Sequence, residues 1–140
     1  MDKVRVGFIG CGGIANWHFR HFETMTQARI TACCDLVEDR ARRAAERFEA
    51  TPYLDYSEML DKEALDAVYV CVEPSAHDGM ELAAIEKGCH LFVQKPMSLS
   101  MEYAETVRDA LEEHGRIGSV GLQVRYADTL PRVKSWLDMQ

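Results

Sequence analysis

Three small residues near the amino terminus, Gly10, Gly12 and Ala15, are spaced as G-x-G-x-x-A. An acidic residue, Asp35, follows about twenty positions later. That spacing suits the binding of a dinucleotide. Gly10 permits a tight turn, Gly12 has no Cβ and lets a pyrophosphate approach the backbone, and Ala15 lets a helix pack closely on a sheet. Gly13, Ile14 and Ala15 open that helix, whose unpaired N–H groups and positive dipole end suit phosphate. Asp35 is placed to hydrogen-bond an adenosine ribose. Its charge would repel a 2′-phosphate, so NAD is expected in preference to NADP.

Glycine-rich turns are common, so the flanking elements decide whether this spacing means anything. The apolar run Val4 to Gly10 reads as a strand. A helix pattern from Gly13 to about Met25 follows, with Trp17, Phe19 and Phe22 on it. A second strand, about Arg29 to Cys34, delivers Asp35. Glu38 to Phe48 is an amphipathic helix with Ala41, Ala44, Ala45 and Phe48 on its apolar face. A short strand at Pro52 to Leu54 and a short helix at Ser57 to Leu60 lead to Ala67 to Val72, a continuous apolar run typical of a buried parallel strand. Ser75 and Asp78 fit a capping box for the next helix, which Gly88 closes. His90 to Val93 and Ile117 to Leu122 read as the last strands. Between them lies a helix capped by Ser100, with Ala104, Val107 and Leu111 as its buried stripe. A final helix is expected over Thr129 to Leu137.

Strict alternation of strands and helices predicts an α/β fold, a doubly wound parallel sheet of the Rossmann type in three α/β/α layers. Ligands in such sheets bind at the carboxyl ends of the strands. Gly10, Asp35, Val72, Glu73, Pro74, Gln94, Lys95 and Gln123 all stand at such ends and are expected to line one crevice. His77, at the start of a helix near it, is a peripheral candidate.

The 140 residues suit one compact domain, and 47% apolar content supplies a core. The net charge of −7 argues against nucleic acid as a partner. No apolar run is long enough to span a membrane, and no signal-peptide pattern opens the sequence. Five cysteines, an odd number without a C-x-x-C pair, point to a reducing, cytoplasmic setting without a disulfide framework. No metal site is expected. His18 and His21, three apart on one helix, read as packing or surface residues rather than ligands.

With Gln94-Lys95-Pro96 in view, the chain resembles, over essentially all of its 140 residues, the amino-terminal half of the Gfo/Idh/MocA oxidoreductases. The resemblance includes Gly10-x-Gly12-x-x-Ala15, Asp35, Glu73-Pro74-Ser75-x-His77, Gly88-Cys89-His90, Lys95-Pro96 and Gly121-Leu122-Gln123-Val124-Arg125-Tyr126. It implies hydride transfer between NAD(P) and a sugar or polyol hydroxyl or ketone. It also implies a catalytic role for Lys95 beside the reacting oxygen, where an amine helps take a proton or stabilises an alkoxide. Gln94 stands where the family usually has Glu, and Glu73 where it often has Thr. The resemblance divides the chain into a nucleotide-binding domain at 1–125 and, at 126–140, the start of a crossover into a substrate domain beyond the sequence. It implies a homo-oligomer at full length and little turnover by this half alone, because half the cleft would be missing. Two other readings are a stand-alone, non-catalytic NAD(H) sensor or scaffold and a methyltransferase; Lys95-Pro96 and the glycine spacing disfavour the latter.

Overall fold

The computed structural model describes residues 2–127 and 129–139. Six strands, β1 (Val4–Ile9), β2 (Ala28–Cys34), β3 (Thr51–Tyr53), β4 (Ala67–Val70), β5 (His90–Gln94) and β6 (Gly118–Gly121), form one sheet in the order β3-β2-β1-β4-β5-β6. Every pairing is parallel. The helices are α1 (Gly13–Phe22), α2 (Glu38–Phe48), α3 (Tyr56–Lys62), α4 (Met80–Glu86), α5 (Met101–Glu113) and α6 (Thr129–Leu137). The doubly wound sheet expected from the sequence is therefore present.

Two cores lie on opposite faces of the sheet. Val6, Phe8, Ile30 and Cys33 point to one face and meet Ala15, Phe19 and Phe22 of α1 and Ala44 and Ala45 of α2. Ile9, Ala32, Cys34, Val68, Val70 and Val93 point to the other, under Met59 of α3, Ala84 and Ile85 of α4 and Val107 of α5. Side chains alternate faces along a strand, yet Ile30 and Ala32 are two apart and lie in different cores. The pairing explains this: Val6 faces Ile30 while Gly7 faces Ala32, so Thr31 is an extra residue, a bulge.

Aromatic packing fixes α1 on the sheet. Phe8 lies edge-on to Phe19 at 4.8 Å and stacks on Tyr69 at 4.8 Å, and Tyr69 stacks on Phe92 at 4.4 Å. Phe8 is fully buried, and truncating such a side chain to Ala costs about 3–5 kcal/mol.

Three local expectations are corrected. Helix α1 ends at Phe22, not near Met25, because its last turn tightens: the Thr24 and Met25 N–H groups bond His21 and Phe22 carbonyls three residues back. Ser75 does not cap α4. Pro74–Ala76 instead forms a 3-10 turn, and Gly79, with φ +104°, turns the chain into α4 without a side-chain cap. On α5 only Val107 of the predicted stripe is fully buried; Ala104 and Leu111 are half-buried. Ser100 does cap α5, its Oγ accepting the Tyr103 N–H at 3.3 Å.

Candidate functional site

Strands β1 and β4 are neighbours at the middle of the sheet, and the helices that follow them cover opposite faces. A crevice opens at their carboxyl ends. Gly10 forms its floor. The Gly10 N–H donates to the Cys34 carbonyl at 2.8 Å, while the Cys71 N–H donates to Ile9 at 2.7 Å. Gly10 has φ +88°, and a Cβ there would stand 2.5 Å from the Cys71 carbonyl oxygen and 2.9 Å from Val72 Cγ1. Only glycine meets both conditions.

Gly12 and Gly13 differ from Gly10. A Cβ on either would meet nothing within 4 Å, so both border open space. Gly12 precedes α1 without a side-chain cap, and the N–H groups of Gly13, Ile14 and Ala15 have no acceptor within the helix. Ala15 is fully buried against the sheet, and Ile14 is exposed. The helix start thus presents a bare, donor-rich surface.

Asp35, half-exposed at the end of β2, reaches across to this loop. Its Oδ2 accepts the Cys11 N–H at 2.8 Å and its Oδ1 accepts the Val37 N–H at 2.9 Å. Each oxygen keeps a lone pair for a further donor. The thiol of Cys11 is raised well above its ordinary range by its contact with Cys33 and by burial, and burial pushes Cys34 and Cys71 up to about 12. These thiols are packing groups rather than nucleophiles. All five cysteines are buried and free.

The rim after β4 carries half-buried Val72, exposed Glu73 and Pro74, the first residue of the 3-10 turn. His77 is tied down there. Its Nδ1 contacts Oε1 of Glu81, a fully buried carboxylate whose Oε2 accepts the Tyr103 hydroxyl at 2.8 Å. Burial and this bond raise the Tyr103 phenol, which keeps it protonated as a donor. The trio joins the rim to α4 and α5, and its link from Glu81 to Tyr103, twenty-two residues on, is one that spacing did not signal.

Gln94, the last residue of β5, is buried, and Lys95, which follows it, is exposed. The Gln94 Oε1 accepts the Lys95 N–H at 2.9 Å, and its Nε2 lies 3.0 Å from His18 Nε2. Gly121 of β6 makes room for it, since a Cβ there would stand 2.4 Å from Gln94 Oε1. Gln123, in a short 3-10 turn after β6, has a buried Oε1 with no partner. Among the described residues, no three histidines, cysteines or carboxylates are grouped to hold a metal.

These features suit a dinucleotide: a cradle without Cβ atoms, a helix start with free donors, a carboxylate with spare lone pairs, and an orphaned acceptor at Gln123. By contrast, a concavity of about 870 Å³ at the amino ends of the strands, lined by Asp2, Arg5, Arg29 and Asp66, lies away from all of them.

The sequence pattern described as "Oxidoreductase family, NAD-binding Rossmann fold" matches residues 4–122. Inositol 2-dehydrogenase/D-chiro-inositol 3-dehydrogenase of Shouchella clausii is 33% identical over 141 aligned positions, 98% of this chain and 41% of the relative. The myo-inositol 2-dehydrogenase structure from Lactobacillus plantarum superposes with a TM-score of 0.88 at 25% identity, over 98% of this chain and 41% of that one. The WlbA dehydrogenase of Bordetella pertussis, solved with NADH and UDP-GlcNAcA, superposes with a TM-score of 0.90 at 26% identity, over 99% of this chain and 42% of that one. The chain thus spans about two fifths of the length of the relatives it matches. With the fold, the glycine cradle and the matched residues in agreement, the chain belongs to the Gfo/Idh/MocA oxidoreductase family, of which it comprises the NAD-binding Rossmann fold.

Proposed function

We propose that this chain is the cofactor half of a dehydrogenase that moves hydride between NAD and the carbinol carbon of a polyol or sugar. One observation carries the reading: the glycine cradle, Asp35 and Lys95 all stand at the same end of one parallel sheet, where a dinucleotide laid across β2, β1, β4 and β5 meets them in turn. Gly12, Gly13 and the start of α1 hold the pyrophosphate, Asp35 the adenosine ribose, and Val72, Glu73, Pro74, Gln94 and Gln123 the nicotinamide side. His77 braces the rim. NAD, when bound, supplies the acceptor for hydride. Lys95, exposed on the loop after β5, takes the proton that leaves the hydroxyl oxygen, or steadies the alkoxide by hydrogen bonding.

The names of the relatives support inositols and nucleotide-linked sugars as the substrate class. The cofactor domain comprises 1–125, and 126–140 begins the crossover to a substrate domain. Met1, Asp128 and Gln140 of these ranges lie outside the described residues. The 140-residue chain binds NADH and turns over little by itself, since a complete cleft holds both reactants in place; the full-length protein is a cytoplasmic homo-oligomer.

Nicotinamide fluorescence tests this reading. Titration of the chain should give saturable binding of NADH, weaker binding of NADPH, and at least tenfold weaker NADH binding in Asp35→Ala. In the full product of the reading frame, Lys95→Ala should retain NADH binding and lose inositol-dependent reduction of NAD. Absence of NADH binding by both the chain and the full product would overturn the proposal.

A further inference from the structure

His18 is buried in α1 among aromatic rings, with Tyr69 at 5.6 Å, Phe92 at 5.1 Å and Trp17 at 5.1 Å between centroids. Its polar contact among the described residues is Gln94 Nε2, 3.0 Å from its own Nε2. The orientation of the Gln94 carboxamide follows from its other bond. The Lys95 main-chain N–H only donates, so the atom facing it is the carbonyl oxygen Oε1, at 2.9 Å. The NH2 group therefore faces the imidazole. An amide NH2 only donates, so His18 Nε2 must accept, and its proton sits on Nδ1. A second ring proton would set two donors against each other.

We propose that His18 is a positioning residue for the Lys95 loop: held neutral in its Nδ1–H form, it fixes the Gln94 carboxamide, which in turn fixes the Lys95 main chain at the mouth of the crevice. The loop is thereby hung from α1, the same helix whose start faces the phosphates, so both ends of the site share one support. Only the catalytic meaning of this placement rests on the reading above; the hydrogen-bond chain does not.

The surroundings agree. Desolvation, with His21 one turn along the helix, lowers the His18 pKa below its ordinary value. The groups that face it from the sheet are the Tyr69 phenol ring of β4, the Phe92 ring of β5 and the uncharged Gln94. None supplies a negative charge to favour imidazolium. A carboxylate at position 94 would reverse this, since it could accept where the amide donates.

Imidazole ¹⁵N correlation spectra of the cofactor-free chain decide the point. At pH 7 the His18 signals should be those of the neutral Nδ1–H tautomer, and in Gln94→Glu its titration midpoint should lie at least one pH unit above that of the wild type. Hydrogen exchange gives the second readout. The Lys95 amide should exchange at least tenfold faster in His18→Phe and recover in His18→Gln, whose Oε1 supplies an acceptor, while the Val68 and Val70 amides stay unchanged. An Nε2–H tautomer, an unmoved midpoint in Gln94→Glu, or unchanged Lys95 exchange in His18→Phe would overturn the proposal. If His18→Phe does not fold, the tautomer and the Gln94→Glu titration decide alone. NADH titration of the same samples separates the two ideas: failure to bind removes the functional reading and leaves the tautomer result standing.

Discussion

Asp35 accepts the main-chain N–H of Cys11 at 2.8 Å, which joins the end of β2 to the glycine loop before any ligand arrives. The carboxylate therefore shapes the loop, and under the proposed function it has the second duty of receiving a ribose. Asp35→Asn keeps an acceptor but loses charge, whereas Asp35→Ala leaves both N–H groups without their partner. We expect Asp35→Ala to cost about 1–2 kcal/mol of stability as well as NADH affinity, and Asn to lose less of each. Urea unfolding alongside fluorescence titration reads both quantities.

The two fingerprint glycines should fail in different ways. Gly10→Ala meets a carbonyl oxygen at 2.5 Å and an unfavourable φ, so it should destabilise the fold by about 2–4 kcal/mol. Gly12→Ala meets nothing within 4 Å and should change stability by less than about 1 kcal/mol. It should nevertheless weaken NADH binding, because the new methyl group occupies the approach to the phosphates. Thermal melts and NADH titrations of the pair should therefore diverge.

Gly121→Ala would push against Gln94 Oε1, which stands 2.4 Å from the new carbon, and against Phe92 Cζ at 3.1 Å. A loss of about 1–3 kcal/mol is expected. The accompanying sign should be a shifted Lys95 amide resonance, since that amide donates to the displaced oxygen.

At the other end of the sheet, Arg5 holds the Asp66 carboxylate down at about 2 through hydrogen bonds from its side chain and main chain. In the unfolded chain this group returns to about 3.9. A depressed folded pKa stabilises above the unfolded value and loses that contribution as pH falls toward the folded one. Stability should drop between about pH 4 and pH 2, and Asp66→Asn should flatten that part of the curve. The two side chains are 39% and 40% exposed, so solvent screening limits the effect to roughly 1 kcal/mol.

Cysteine reactivity offers a check on the buried loop. A thiol held at about 12 is ionised only about once in ten thousand molecules at pH 8. Cys34 and Cys71 should therefore resist alkylation in the folded chain, and all five thiols should react in denaturant. Fast modification of Cys34 or Cys71 in native buffer would contradict the packing described.

The elements were legible in the sequence because apolar runs and turn residues agreed at each boundary. Helix α2 was expected at its observed limits, and its three alanines are buried as the periodicity required. Thr31 shows where such reading stops. A bulge changes which core a residue enters without changing the apolar pattern, and Ile30 and Ala32 look alike either way. Ser75 shows another limit: it has the right type and spacing for a cap, but Pro74 and Gly79 dictate a 3-10 turn and a left-handed entry instead. Among the candidate site residues, Gly10, Gly12 and Asp35 stood out through local chemistry. The contact of His18 with Gln94 could not, since it arises only when β5 is laid beside β4 under α1.

The strand order has a metric consequence. Asp35 follows β2 and Lys95 follows β5, with β1 and β4 between them. Strands lie about 4.8 Å apart, so the sheet sets the ends of β2 and β5 roughly 14 Å from one another. On the function proposed above, a ligand that touches both residues must reach across three strand spacings. The sheet is in this sense a ruler: its strand count fixes how far apart the two candidate anchor points stand.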